Sequence, residues 1–163
     1  MSMRVPSTQA LTATLIVLLA VSAGARQAPA AVTLPGPTLA EAKKAIAAAQ
    51  AAAAKMGVDM SCAVLDARGA VVAMERMDKA PYFTPDVARG KALVSASFGA
   101  PSGNLTALAA SGVLEVLPGR AIALQGAVPI VRNNQRFGAV GCSGGTGQQD
   151  EDGAKAGAAV FQP

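Results

Sequence analysis

The sequence predicts an α+β domain, a five-stranded antiparallel sheet flanked by helices in the order α-β-β-α-α-β-β-β-α. Three observations predict this class. The domain opens with apolar residues at alternating spacings of three and four, as in an amphipathic helix. Short apolar segments separated by tight polar turns follow, as in antiparallel strands. Further helical stretches lie between and after these segments.

The first 25 residues have the pattern of a signal peptide. Arg4 precedes the apolar segment LTATLIVLLAV, and the A-G-A that follows fits an A-x-A cleavage site. The apolar segment is shorter than the roughly 20 residues that span a bilayer, although an uncleaved anchor is the alternative. We therefore expect export to the periplasm or the medium, no stable membrane insertion after cleavage, a linker at residues 26–37 and one domain at residues 38–163.

The first predicted helix begins after Thr38, because Thr38 and Glu41 form a capping-box pattern, and it ends at Gly57. One face of this helix carries Leu39, Ala42, Ile46, Ala49, Ala53 and Met56. Two strands follow at residues 60–65 and 70–77, and the turn D-A-R-G joins them into a hairpin.

The second helix is predicted to start at Thr84 as the cap, with Pro85 in the first turn, and to run to about Phe98. The strand that contains Pro129 suits an edge position or a bulge. Asn133 and Asn134 suit a two-residue turn with positive φ angles. The remaining predicted elements are a short helix at residues 105–110, strands at residues 119–124, 127–131 and 136–142, and a last helix at residues 148–161.

Composition excludes several function classes. The chain has no histidine, so it can form neither a Ser-His-Asp triad nor a metal site that needs imidazole. Its net charge of +4 is scattered, and it has no tryptophan and one tyrosine, so nucleic acid is not an expected partner. Cys62 and Cys142 both lie in strand-like segments. They form either a disulfide or two buried thiols, and the sequence favours neither.

The glycine-rich stretch G-A-V-G-C-S-G-G-T-G-Q-Q-D-E-D begins at Gly138. It lacks the lysine of a phosphate-binding loop and does not match a dinucleotide-binding pattern. Thr146 and Gln149 have capping-box spacing, and the acids from Asp150 to Asp152 favour the amino end of a helix. The stretch therefore predicts a turn from strand to helix, with bare glycines that also let a ligand approach the backbone.

Three spaced segments carry a resemblance to a known family. GAVPIVRNNQRFGAVGCSGGTGQQDED, AVLDARGAVVAMERMDKAP and DVARGKALVSASFGAPS resemble the closing signature, the hairpin and the central helix of the GlcG/HbpS-like family, over about residues 38–161. Members are small haem-binding domains, some of them fused to an adenosyltransferase of propanediol utilisation. The resemblance implies a five-stranded α+β fold, homo-oligomers and a small-molecule ligand, haem.

Some members of that family hold the haem iron through histidine, which this chain lacks. The resemblance therefore leaves methionine, cysteine, tyrosine, lysine or a hydroxyl as the iron ligand. The candidate cofactor-binding residues are Met74, Met77, Tyr82, Arg89, Lys91, Ser143, Gly144, Gly145 and Thr146. Structural roles are the alternatives: core packing for the methionines, ion pairing or a solvated face for Arg89 and Lys91, and capping for Ser143 and Thr146.

The sequence supports one principal function and two alternatives. The principal function is an exported haem-binding or haem-handling protein with a small apolar pocket. The first alternative is a lyase, isomerase or hydrolase that acts on a small organic molecule, with Asp86, Glu115 or Lys91 in acid–base roles. The second is a non-catalytic assembly or accessory protein, so the sequence does not decide whether the chain is an enzyme.

Overall fold

The computed structural model describes residues 36–162, and the predicted signal peptide lies outside them. The described residues form four α-helices and one four-stranded antiparallel sheet of order β2-β1-β4-β3. The helices are α1 (Leu39–Lys55), α2 (Thr84–Phe98), α3 (Ala107–Ala110) and α4 (Gly147–Ala158); the strands are β1 (Ser61–Asp66), β2 (Val71–Arg76), β3 (Ala127–Arg132) and β4 (Gln135–Ser143).

The prediction of five strands is wrong. Residues 119–124, predicted as the third strand, form an irregular segment that packs on α2. The Ile122 N–H donates to the carbonyl of Gly90 in α2, and the Leu124 carbonyl accepts from the Ser102 hydroxyl at 2.6 Å. A Cβ on Gly90 would lie 2.7 Å from the Ile122 side chain. The segment thus satisfies its backbone by approaching a helix closely, and no strand ladder is needed.

Helix α1 confirms the predicted start and most of the predicted buried face. Of the residues predicted on that face, Leu39 is 54% exposed and Met56 is only partly buried. The Thr38 hydroxyl accepts from the Glu41 N–H at 3.2 Å, and a Glu41 carboxylate oxygen accepts from the Thr38 N–H at 2.8 Å. Each of these bonds pairs a backbone donor at the helix start that has no partner within the helix. The buried residues of the helix are Ala42, Ala45, Ile46, Ala49 and Ala53.

Helix α2 spans the predicted residues but begins differently. Phe83 occupies the cap position and makes no side-chain cap. The Thr84 hydroxyl instead donates to the carbonyl of Pro81 at 2.8 Å and lies 2.7 Å from the Ser61 hydroxyl of β1. Thr84 therefore fastens the start of α2 to the sheet.

The pairing of β1 with β4 decides the state of the cysteines. Cys62 and Cys142 lie directly opposite each other in this pair and form a disulfide. Pro129 lies on β3, which is an edge strand as predicted. Asn133 and Asn134 have φ angles of 50° and 58°, which confirms the predicted turn between β3 and β4.

The sheet separates two apolar cores. Helices α1 and α4 cover one face, where Ile46, Val64 and Val140 are buried. Helix α2 covers the other, where Leu65 and Leu93 are buried. Within residues 36–162, no helix is both long enough and apolar enough to cross a membrane.

Candidate functional site

The candidate site is a cleft of about 410 Å³ at the end of β4, between α2 and the start of α4. We call it the β4–α4 cleft. It is lined by Val87, Lys91, Leu124, Gln125, Ser143, Gly145, Gly147 and Asp150. Two other clefts exist in the described part of the chain, at the β3–β4 turn and beside the end of β2. The β4–α4 cleft is the candidate because buried charged groups form its wall.

A buried ion pair forms that wall. The Lys91 ammonium lies 2.7 Å from a carboxylate oxygen of Asp150, and the two side chains are only 5% and 3% exposed. Lys91 also donates to the Cys142 carbonyl at 3.3 Å, and the second Asp150 oxygen accepts from the Gly145 N–H at 2.9 Å. Buried charges need such complete pairing, because the cost of removing them from water is several kcal/mol per ion. The pair joins α2, β4 and the glycine turn.

Two glycines leave the space that the buried ion pair and the turn after β4 require. Gly126 has φ +136°, and a Cβ there would lie 2.6 Å from the Lys91 ammonium nitrogen. A Cβ on Gly144 would collide with the backbone of Asp59 and Met60. Both positions therefore need a residue without a side chain.

The turn from strand to helix forms as predicted. The Thr146 hydroxyl accepts from the Gln149 N–H, and the Gln149 amide oxygen accepts from the Thr146 N–H at 2.9 Å. The acids that follow are each paired. Asp150 binds Lys91, Glu151 lies 2.7 Å from Lys155, and Asp152 accepts from the Gln148 amide. Lys91 and Lys155 offset the charges of Asp150 and Glu151, and Asp152 keeps its negative charge.

Ser143 is the last residue of β4 and is 6% exposed. It lies opposite Ser61 in the pairing of β4 with β1, so both side chains stand on the face of the sheet that α2 covers. The Ser61 hydroxyl is bonded to Thr84. Within residues 36–162, the Ser143 hydroxyl has no protein hydrogen-bond partner, and it borders the cleft.

An exposed aromatic pair stands beside the cleft. The rings of Tyr82 and Phe83 are perpendicular, with centroids 5.7 Å apart, and the Tyr82 side chain is 86% exposed. The Val87 N–H donates to the Phe83 carbonyl, so Phe83 lies one helical turn before Val87, which lines the cleft. Phe83 and Val87 therefore lie on the same side of α2, and of the two only Val87 lines the cleft.

The structure brings some of the candidate residues together and leaves others apart. Lys91, Ser143 and Gly145 line the cleft, and Gly144 and Thr146 belong to the same turn. Whether these residues bind a ligand stays a prediction.

The other candidates lie elsewhere. Met74 is partly exposed on β2. Met77 lines the cleft beside β2, where its sulfur accepts from the Met60 N–H at 3.4 Å. The Arg89 guanidinium lies beside Gly119.

Sequence reasoning missed the partner of Lys91. The sequence predicts Asp150 only as an acid that favours a helix start, and its 59-residue separation from Lys91 gives no local signal. Asp86 and Glu115, the other acid–base candidates, are exposed and do not line the cleft. The described residues contain no cluster of three histidine, cysteine or carboxylate side chains that could hold a metal ion.

Comparisons with known proteins agree on the fold. A family model described as haem degrading protein HbpS-like matches residues 38–159. An uncharacterized 15.0 kDa protein from the dhaT-dhaS intergenic region of Citrobacter freundii is 32% identical over 118 residues, 69% of this chain and 83% of that protein.

Two solved structures show the same likeness. A double mutant of Streptomyces reticuli HbpS is 30% identical with a TM-score of 0.74, over 97% of this chain and all of that chain. The PduOC–haem complex is 22% identical with a TM-score of 0.69, over 78% of this chain and 96% of that chain. At that identity the PduOC likeness shows the fold alone.

Proposed function

The chain belongs to the HbpS-like family, and on that membership we propose that it is an exported protein that binds haem. The family description, haem degrading protein, is the principal support. The structural support is the exposed Tyr82–Phe83 pair at the start of α2, one helical turn before Val87 of the β4–α4 cleft. Exposed apolar rings beside a cleft suit a flat porphyrin, which buries one or both faces on aromatic and aliphatic side chains.

The side chains that the protein offers restrict the choice of ligand for the haem iron. The sequence has no histidine, and both of its cysteines are joined in the disulfide, so neither type supplies a ligand. The Lys91 ammonium is held by Asp150. Tyr82 and Met74 are exposed and accessible, and tyrosine and methionine are both established haem ligands.

We propose that the Tyr82 phenolic oxygen is the ligand of the haem iron. The Tyr82 side chain is far more exposed than that of Met74, and its ring contacts that of Phe83. In this arrangement Phe83, Val87 and Leu124 provide the apolar contact surface. Haem, when bound, would supply iron-centred redox chemistry, and the protein would supply position and exclusion of water.

Titration of the full chain with haemin, followed by the Soret band, tests the proposal. We expect a saturable shift at stoichiometric haemin. Tyr82→Phe, which keeps the ring and removes the hydroxyl, should lose the tyrosinate signature and bind at least tenfold more weakly. Met74→Leu is the matched control and should leave the spectrum unchanged. Unsaturable haemin association in the wild-type protein contradicts the proposal.

Export is proposed from the predicted signal peptide, residues 1–25, and is supported by the Cys62–Cys142 disulfide, because disulfides persist in oxidising compartments. Mass spectrometry of protein recovered from the periplasm and the medium would test it. Recovery only in the cytoplasm, with the N-terminus intact, would contradict it.

A homo-oligomer is proposed as well. It is supported by partly exposed apolar side chains, which association would cover. Outside the proposed haem site, these side chains are Leu39, Val71, Phe98, Val116, Val131 and Val160. Light scattering during size-exclusion chromatography should give a mass above that of one chain, and a monomer at high concentration would contradict it.

A further inference from the structure

We propose that the β4–α4 cleft is a carboxylate-binding site, in which the Ser143 hydroxyl and the first backbone N–H groups of α4 hold the anion. This site is distinct from the Tyr82 iron ligand. Its carboxylate belongs either to a free small organic acid or to a propionate of haem. The inference concerns the cleft itself and stands whether or not haem binds.

The unpartnered Ser143 hydroxyl is the first support. The residue is 6% exposed and borders the cleft, and its hydroxyl has no hydrogen-bond partner among residues 36–162. Its neighbour on β1, Ser61, is bonded to Thr84. Among the described residues no fully buried side-chain nitrogen or oxygen lacks a partner, so the Ser143 oxygen keeps access to the cleft, where its hydroxyl can donate to an acceptor.

The amino end of α4 is the second support. The capping box pairs the N–H of Gln149, and the Asp150 N–H donates to the Thr146 carbonyl. The N–H groups of Gly147 and Gln148 have no protein partner in the described part of the chain. Gly147 borders the cleft, so unpaired donors and the positive end of the helix dipole meet there.

The nearby charges permit an anion. Both Asp150 oxygens are occupied, one by Lys91 and one by the Gly145 N–H, so that carboxylate has an internal partner on each side. The Lys91 ammonium makes two hydrogen bonds and retains a third hydrogen at the cleft wall. Asp86, next to Val87, is exposed to solvent.

The cleft therefore offers donors from Ser143, Gly147 and Lys91, beside the Gln125 amide, while Val87 and Leu124 add apolar surface. This combination suits a carboxylate on a short aliphatic arm. A phosphate loop remains excluded, because the turn has no lysine of its own.

The test uses the full ¹⁵N-labelled chain titrated with sodium butyrate and followed by NMR. We expect saturable shifts of the Gly147 and Gln148 amide signals. Ser143→Ala should weaken binding about tenfold or more, as expected for the loss of a hydrogen bond to a charged group. Ser111→Ala, an exposed serine outside the cleft, is the control and should bind like the wild type.

A second pair of variants tests the contribution of the Gly147 N–H to butyrate binding. Gly147→Ala and Gly147→Pro both add a Cβ, which would lie 3.0 Å from the Gln125 amide oxygen. Only proline removes the N–H, and it is tolerated at the first helical position. Thr146 already has ψ 160°, which the residue before a proline prefers. We expect weaker butyrate binding for Gly147→Pro than for Gly147→Ala.

Haemin and haemin dimethyl ester, whose propionates are esterified, identify the source of the carboxylate. Weaker binding of the ester, with the difference abolished in Ser143→Ala, assigns the site to a haem propionate. Butyrate binding with equal affinity for haemin and its ester assigns it to a free acid. Unsaturable haemin with saturable butyrate overturns the haem proposal alone. Two results would overturn the carboxylate site. In the first, butyrate does not bind, and haemin and its ester bind with equal affinity. In the second, butyrate binds, and Ser143→Ala leaves its affinity unchanged.

Discussion

Two ion pairs of similar length lie near opposite ends of β4, and they differ in burial. Lys91 and Asp150 meet at 2.7 Å beside the end of β4, with side chains 5% and 3% exposed. Arg132, just before the β3–β4 turn, meets Glu41 of α1 at 2.8 Å, and these side chains are 36% and 31% exposed. Distance alone would rank the pairs as equal.

Because the two ion pairs differ in burial, their loss should affect the stability of the protein differently. An exposed pair contributes at most about 1 kcal/mol, because water and salt screen it. Breaking a buried pair leaves an uncompensated charge in the interior. Arg132 has further support, since its guanidinium lies 4.2 Å from the centre of the Phe137 ring. Lys91 and Asp150 depend on each other and on two backbone groups, so their loss also disturbs the candidate site.

The largest effect is expected for Asp150→Asn. The amide can still accept from the Gly145 N–H, but the Lys91 ammonium loses its counter-charge. We expect the free energy of unfolding to fall by about 3–5 kcal/mol. Urea denaturation followed by circular dichroism measures this loss.

Asp152→Asn is the matched control, because it removes a carboxylate from the exposed side of the same helix, and it should change the free energy of unfolding by less than about 0.5 kcal/mol. Replacing both partners, as Lys91→Met with Asp150→Leu, should recover part of the stability because no charge stays buried. Equal effects of Asp150→Asn and Asp152→Asn would show that burial does not distinguish the carboxylates.

The disulfide allows a second test at the buried end of β4. Cys62→Ala with Cys142→Ala should lower the free energy of unfolding by about 2–4 kcal/mol, because a cross-link over 80 residues restricts the unfolded chain. The Cys142 carbonyl accepts from Lys91, so this change should be non-additive with Asp150→Asn.

The control for that cycle combines the disulfide variant with Glu41→Gln, because Glu41 of α1 pairs with Arg132 near the other end of β4. The effect of Glu41→Gln should add to the loss of the disulfide within about 0.5 kcal/mol. Additivity in both cycles would refute the coupling of the disulfide to the buried ion pair.

These differences mark what the sequence could predict. Local signals were sufficient for both capping boxes, the Asn133-Asn134 turn and the edge strand with Pro129, because each depends on neighbouring residues. The extra strand at residues 119–124 was wrong, since an apolar segment gives no sign that Gly90 lets it approach a helix. The Lys91–Asp150 pair and the disulfide join residues 59 and 80 apart, so only tertiary structure reveals them.

Both capping boxes offer a smaller test. Thr38→Ala and Thr146→Ala should each lower the free energy of unfolding by about 1 kcal/mol, since each leaves one backbone N–H unpaired. Thr146 lies in the turn beside the cleft, so its loss should also weaken butyrate binding, and that of Thr38 should not. Equal butyrate affinity of the Thr38→Ala and Thr146→Ala variants would show that the turn before α4 does not contribute to the binding site.

The smallest effect on the free energy of unfolding is expected at the exposed Arg132–Glu41 pair, and it should depend on pH. The Thr38 N–H, followed by the Arg132 side chain, lowers the pKa of Glu41 from 4.5 to about 2. A carboxylate with a lowered folded-state pKa stabilises the protein above its unfolded pKa, and this contribution is lost as pH falls. Glu41→Gln, which keeps an acceptor for Thr38, should therefore be less stable than the wild type at pH 7 by less than about 1 kcal/mol.

That difference should shrink as pH falls from about 4.5 to about 2 and vanish below, because the protonated Glu41 carboxyl and the glutamine amide are both neutral. Subtracting the two pH profiles cancels other acids, including Asp66, whose carboxylate accepts from the N–H groups of Arg68 and Ala70. Thermal unfolding of both proteins at closely spaced pH values measures the profile. A difference that stays constant from pH 7 to pH 2 would mean that the charge of Glu41 contributes nothing at this end of β4.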